Sequence, residues 1–200
     1  MTTQTRKQAE TQADLPAPLR HLVAGFDALL EQGASEPALV EQGGALLRAL
    51  LADDGWLPPE AARPDPVHYR QYLLYRDPQA RFSVVSFVWG PGQSTPIHDH
   101  TVWGLIGLLR GAEVSQDFRR AADGALVRTG PPRRLATGEV TAVSPALGDI
   151  HQVANAHDDR VSIGIHIYGA DIGAVERSVF SPDGAAKPFR SGYANAASSL

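Results

Sequence analysis

The sequence predicts a mostly-β chain, one small antiparallel barrel with a pair of helices packed on it. Two observations carry this. Helical periodicity is confined to the first quarter of the chain, and from Tyr69 onward short candidate strands alternate with glycine and proline turns. A third, the lack of any internal repeat or second composition block, keeps the 200 residues in one domain.

Taken in order, residues 1–14 are polar and read as a flexible tail without the apolar stretch of a signal peptide. In 17–32, Leu19, Leu22, Val23, Phe26, Leu29 and Leu30 recur at helical spacing, and Gly33 ends the pattern. In 36–52, Leu39, Val40, Leu46, Leu47, Leu50 and Leu51 do the same, with Ser35 placed to cap the start. The Pro-rich stretch 58–66 breaks helix. Candidate strands follow at 69–75, 81–89, 102–110, 113–119, 126–129, 134–143 and 160–168, with another starting near His151. The domain is expected to span 15–190, and 191–200, small and polar, reads as a second tail.

Apolar residues are 43% and charged residues 20%, an ordinary balance, with a net charge of −4. The basic residues cluster only in pairs, such as Arg119-Arg120 and Arg133-Arg134, so no nucleic-acid partner is expected. No apolar run is long enough to span a bilayer, so no membrane partner is expected and a cytoplasmic location follows by default. There is no cysteine, which leaves His, Asp, Glu or backbone oxygen to hold any metal. Nothing in the sequence fixes an oligomeric state.

The histidines carry the chemistry. His98 and His100 stand in Pro96-Ile97-His98-Asp99-His100, and residues i and i+2 of an extended segment share a face, so both imidazoles can reach one metal. His151, in Gly148-Asp149-Ile150-His151, offers a third ligand from a distant strand. A His-x-His pair alone is more often a surface or hydrogen-bonded core feature than a metal site. Further on, Ser162-Ile163-Gly164-Ile165-His166-Ile167-Tyr168 alternates strictly. Its isoleucines belong against a core. Then 162, 164, 166 and 168 face inward, where His166 and Tyr168 form either a relay beside the metal or a structural hydrogen-bonded pair.

The surrounding residues resemble the cupin motifs. Gly92 precedes His98 by six, Gly104 follows His100 by four, and Gly111 lies seven beyond. Gly138, Pro145, Gly148, His151 and Asn155 follow the second motif, with two gaps each one residue longer. Where most cupins carry a metal-binding glutamate, this chain has Gly104, leaving three neutral histidines and no carboxylate. Such a set suits an anionic bidentate substrate plus dioxygen, and alone it also allows a zinc hydrolase.

The likeness narrows to bacterial thiol dioxygenases of the cysteine dioxygenase type, most of all those acting on 3-mercaptopropionate. It is carried by Arg81–Gly90, Thr95–Gly104, Gly148–His151 and His166-x-Tyr168-Gly169-Ala170-Asp171-Ile172, and spans roughly 15 to 190. The resemblance implies iron(II) on His98, His100 and His151, a small thiol substrate and O2, and a Ser-His-Tyr relay. His166 and Tyr168 match that relay, but its serine position is Gly164, and Ser162 lies too far along the strand to replace it directly. The resemblance also implies that Gln71 and Arg177 attend the substrate carboxylate, where animal-type enzymes place an arginine at the early site. Arg70 would point to the opposite face. The expected reaction is therefore oxidation of 3-mercaptopropionate to its sulfinate, with cysteine as the alternative substrate. A non-catalytic or zinc- or manganese-dependent cupin is the alternative of another class. On their own, Gln71 could be an exposed strand residue and Arg177 a partner of Glu176. Phe87, Trp89 and Trp103 are expected to pack the barrel.

Overall fold

The computed structural model describes residue 12 and residues 14–196. Helix α1, Ala17–Glu31, and helix α2, Glu36–Leu50, form as the periodicity predicts. Gly33 closes α1 with φ +69, and the amides of Gly33 and Ala34 return to the carbonyls of Leu30 and Leu29, a left-handed glycine stop. Ser35 does stand at the start of α2, but its side chain makes no capping hydrogen bond. Pro37 in the first turn, which has no amide proton to satisfy, takes over part of that role. Leu19, Leu22, Val23 and Phe26 of α1 and Leu47 and Leu50 of α2 are buried in one apolar layer with Ile163, Ile165 and Ile167.

Among the described residues twelve strands follow, paired antiparallel throughout. In one sheet, β1 (Arg70–Arg76), β2 (Ser83–Trp89), β10 (Ser162–Tyr168), β4 (Gly104–Arg110) and β8 (Val140–Val143) lie in that order. The other runs β12 (Ala186–Phe189), β11 (Arg177–Phe180), β3 (Ile97–His98), β9 (Ile150–Asn155), β5 (Ala112–Arg120) and β6 (Leu126–Arg128), with β7 (Arg133–Ala136) also paired to β5. The helices cover the outer face of the first sheet. Its inner face, with Val85, Phe87, Trp89 and Tyr168, meets Val153 of the second sheet and Ile172 of the loop after β10. This is the single barrel with a helical pair that the sequence predicts.

Three details differ from expectation. The stretch 134–143 is two strands, because Gly138 at φ +85 turns the chain and Glu139 accepts the Ala136 amide at 2.8 Å. Strands β3, β11 and β12 were not legible: β3 has two residues, and β12 carries Pro188, which only an edge strand tolerates. Residues 191–196, placed in the expected tail, are docked on the barrel, and the rest of that tail lies outside the described residues. The Ala194 amide donates to the Gln71 carbonyl at 2.8 Å, and the Asn195 side chain accepts from and donates to the Leu73 backbone at 2.9 Å each. The expected N-terminal tail lies outside the described residues, except that Gln12 reaches Asp27 and Tyr75 and Asp14 is exposed.

Candidate metal centre

His98, His100 and His151 converge inside the barrel. Each offers a ring nitrogen within 4.8 Å of the others, and all three rings are buried. The fold does this by register: His98 of β3 sits directly opposite His151 of β9, and His100, two residues on, lies alongside with its ring centroid 4.9 Å from each of theirs. The intervening Asp99 points away, bridging the Ser178 amide at 2.7 Å.

The hydrogen bonds behind the rings settle which nitrogens face inward. His98 Nδ1 lies 3.1 Å from the Pro96 carbonyl, and His100 Nδ1 lies 3.0 Å from Asp149 Oδ1. Both partners only accept, so each Nδ1 carries the proton. His151 Nδ1 lies 3.2 Å from Ser115 Oγ, whose proton points toward Asp117 at 3.5 Å. In its neutral form each ring with its proton on Nδ1 presents an Nε2 lone pair inward, the form a divalent metal takes. Burial, reinforced by the neighbouring histidines, holds His98 and His151 well below the usual imidazole range, so they stay neutral. The residues therefore fit a metal ion.

Asp149, quoted in the motif but given no role by sequence reasoning, organises this wall. Burial pushes its carboxyl up. The His100 ring and the amides of Thr101 and His100 outweigh that and hold it below the ordinary range. Its Oδ2 accepts the Thr101 amide at 2.8 Å, pinning Thr101 at φ +62, a conformation that non-glycine residues rarely adopt. Ser115 was missed because only the β5–β9 register brings it to His151.

Beside the histidines lies a cavity of about 170 Å³ containing Tyr168, His166, Gln71, Arg177 and Ser191. It is smaller than the usual range for drug-sized ligands, so it suits a molecule of few atoms. Tyr168 stacks on His100, ring centroids 5.5 Å apart, and its hydroxyl is 2.9 Å from His166 Nδ1. Phe87 stacks on His166 at 4.3 Å. Burial raises the Tyr168 phenol and pulls His166 down to about 3, so both are neutral near pH 7.

Gln71 and Arg177 are buried at one end and joined through Ser191 Oγ, at 3.2 Å and 2.8 Å. Ser191 comes from the segment expected to be a tail. Glu176 pairs with Arg190 instead, and among the described residues Arg177 has no carboxylate within ion-pair distance. Its Nε is buried without a partner. Arg70 points outward and pairs with Asp65, and Ser162 is held by Ala112 and Asn155, away from the relay. Phe87 and Trp89 pack the interior as expected, and Trp103 stacks on Phe26 at the helical layer. A wider cavity of about 440 Å³ shares His151 and Val153 with the first, but His98, His100, His166 and Tyr168 do not line it.

No family model matches the chain. Among solved structures it is similar to an uncharacterized conserved protein with a double-stranded β-helix domain from Klebsiella pneumoniae, at 16% identity over 60% of this chain and 85% of that one, TM-score 0.47. It is also similar to a cupin superfamily protein from Desulfitobacterium hafniense, at 16% identity over 60% and 94%, TM-score 0.44. A Cupin 2 conserved barrel domain protein from Salinispora arenicola shows 23% identity over 60% and 91%, TM-score 0.41. At such distances these likenesses say nothing of chemistry. Among the described residues, no helix is long and apolar enough to cross a membrane.

Proposed function

We propose that this protein is a non-haem iron(II) thiol dioxygenase that converts a small thiol carboxylate, 3-mercaptopropionate in preference to cysteine, to its sulfinate with O2. One observation carries the reading. Three buried histidines, with no carboxylate among them, face a small cavity whose far end holds a buried arginine lacking a counter-charge. Iron(II) on those histidines supplies the Lewis acidity that favours a thiolate and the redox chemistry that lets O2 react with it.

The chain's own residues do the rest. Arg177 and Gln71 receive the substrate carboxylate, and Ser191 holds their nitrogens together. Tyr168, oriented by His166, donates a hydrogen bond at the reacting end. Tyr69, Phe87 and Trp89 keep the cavity dry. Sulfur gains both oxygen atoms and gives up four electrons, which O2 accepts, so no reductant is consumed.

The cavity wall also bears on substrate choice. Among the described residues it contains no Asp or Glu, so nothing there would pair the ammonium group of cysteine or cysteamine. The expected result is a kcat/KM for 3-mercaptopropionate at least about tenfold above that for either amine. A wide preference for cysteine would overturn the substrate assignment. Zinc or manganese as the metal in protein purified without added metal would overturn the iron assignment.

A further inference from the structure

The position where the relay serine was expected, Gly164 on β10, borders two unsatisfied groups. A Cβ there would lie 2.7 Å from Glu113 Oε1 and 2.7 Å from His166 Nε2, so these atoms flank one small space. Both are buried, and neither has a hydrogen-bond partner. Glu113, on β5, is 2% exposed, and Trp89 Nε1 lies beside its carboxyl without meeting hydrogen-bond geometry. A buried carboxyl and a buried imidazole nitrogen left open toward the same point are costly unless they satisfy each other.

We propose that Glu113 is the end member of a chain Glu113–His166–Tyr168, its carboxylic acid donating to His166 Nε2 across the space that Gly164 leaves. The consequence is a fixed tautomer. With Nε2 accepting, the His166 proton sits on Nδ1 and is donated to the Tyr168 oxygen at 2.9 Å. The Tyr168 hydroxyl proton is then free to point into the cavity. In the opposite tautomer, Tyr168 spends its proton on Nδ1 and presents none. The protonation states agree with this arrangement. Burial raises the Glu113 carboxyl to about 8 and pulls His166 down to about 3, so near neutral pH the first is a donor and the second uncharged. The neighbours of Glu113 are Trp89 from β2 and His166 and Tyr168 from β10. Arg133, Glu139 and His151 line the cavity on its other side.

A Cβ at 164 would press on both the Glu113 carboxyl and the His166 ring, so a side chain there would displace one of them. In the proposed chain, glycine at 164 leaves the space between the two groups, and a carboxylic acid donor takes the place of the hydroxyl donor. Only the use made of the Tyr168 proton rests on the function proposed above.

The test is the tautomer of His166 in metal-free, substrate-free protein labelled with 15N-histidine, read from two-bond 1H–15N correlations at neutral pH. Wild type is expected to show Nδ1–H. Glu113→Gln keeps a donor and keeps that tautomer, whereas Glu113→Leu shifts His166 to Nε2–H. Nε2–H in wild type, or a Glu113→Leu spectrum with Nδ1–H unchanged, overturns the proposal. Should Glu113→Leu not fold, the infrared carbonyl band of a protonated buried acid decides. It must be present in wild type and missing in Glu113→Gln, and its absence from wild type contradicts the assignment. In iron-loaded protein with 3-mercaptopropionate, Glu113→Leu is expected to lower kcat about tenfold with KM unchanged. Failure of all variants and wild type to consume O2 would count against the dioxygenase reading and leave the tautomer result standing.

Discussion

The Tyr168 ring occupies the space into which a side chain at position 104 would project: a Cβ on Gly104 would come within 2.8 Å of Tyr168 Cδ1 and 2.9 Å of Cε1. Real Cβ atoms do not approach that closely, so the absent carboxylate and the placement of the relay tyrosine are one structural choice. Tyr168, stacked on His100, fills the position from which a glutamate at 104 would have to reach the metal. Gly104→Ala is expected to displace the ring while leaving the three histidines in place. Iron content should stay near wild type and kcat should fall by roughly tenfold or more, a misplacement effect. Unchanged kcat in the variant would separate Tyr168 from the reaction.

Asp149→Asn keeps the size of the side chain and removes its charge behind His100. Partners of this kind set ligand orientation and basicity, so metal affinity should fall about 10–100-fold with the fold intact. Competition with a chelating indicator measures it. An affinity equal to wild type would mean that the His100–Asp149 contact at 3.0 Å does no more than cap Thr101.

Arg177→Met removes the buried cation that faces the cavity. If the cation receives the substrate carboxylate, KM should rise about 100-fold or more, the scale for losing one partner of a buried charged pair. Gln71→Ala, which loses a neutral hydrogen bond, should cost about tenfold. Both are read from steady-state O2 uptake. A change in kcat alone would move Arg177 from binding to the chemical step.

Stability should carry a signature of Glu113. Its folded pKa, raised from 4.5 to about 8, means the native state keeps a proton that the unfolded chain has lost, so stability falls as pH rises through that window. The buried histidines, held low, act oppositely below about pH 6.5, where the unfolded chain binds more protons. The fall is therefore exposed between about pH 6.5 and 8. At 1.36 kcal/mol per unit it amounts to about 2 kcal/mol, or roughly 4–8 °C in Tm. Glu113→Gln in metal-free protein should remove that slope, and a variant with the wild-type slope would place the titration elsewhere.

How far the sequence could be read follows from the range of each interaction. The helical pair, the isoleucine face of β10 and the His-x-His pair are local patterns, and each forms where periodicity places it. His151 was legible because a turn motif, Gly148-Asp149, precedes it. Ser115, Glu113 and Ser191 were not. Their roles arise from strand register and from a docked chain end, joining residues such as Gln71 and Ser191 that are distant in sequence. Gly164 reads in sequence as a gap in the relay. The structure shows two unsatisfied buried atoms flanking that gap, which only the packing of β5 against β10 reveals.

The most direct measurement is O2 uptake by protein loaded with iron(II) and given 3-mercaptopropionate under air. The expected result is one O2 consumed per thiol, with the sulfinate as product and no added reductant. His151→Ala should abolish both metal binding and uptake. No uptake by the iron-loaded protein with 3-mercaptopropionate, cysteine or cysteamine would contradict the assignment of this three-histidine site to thiol oxidation.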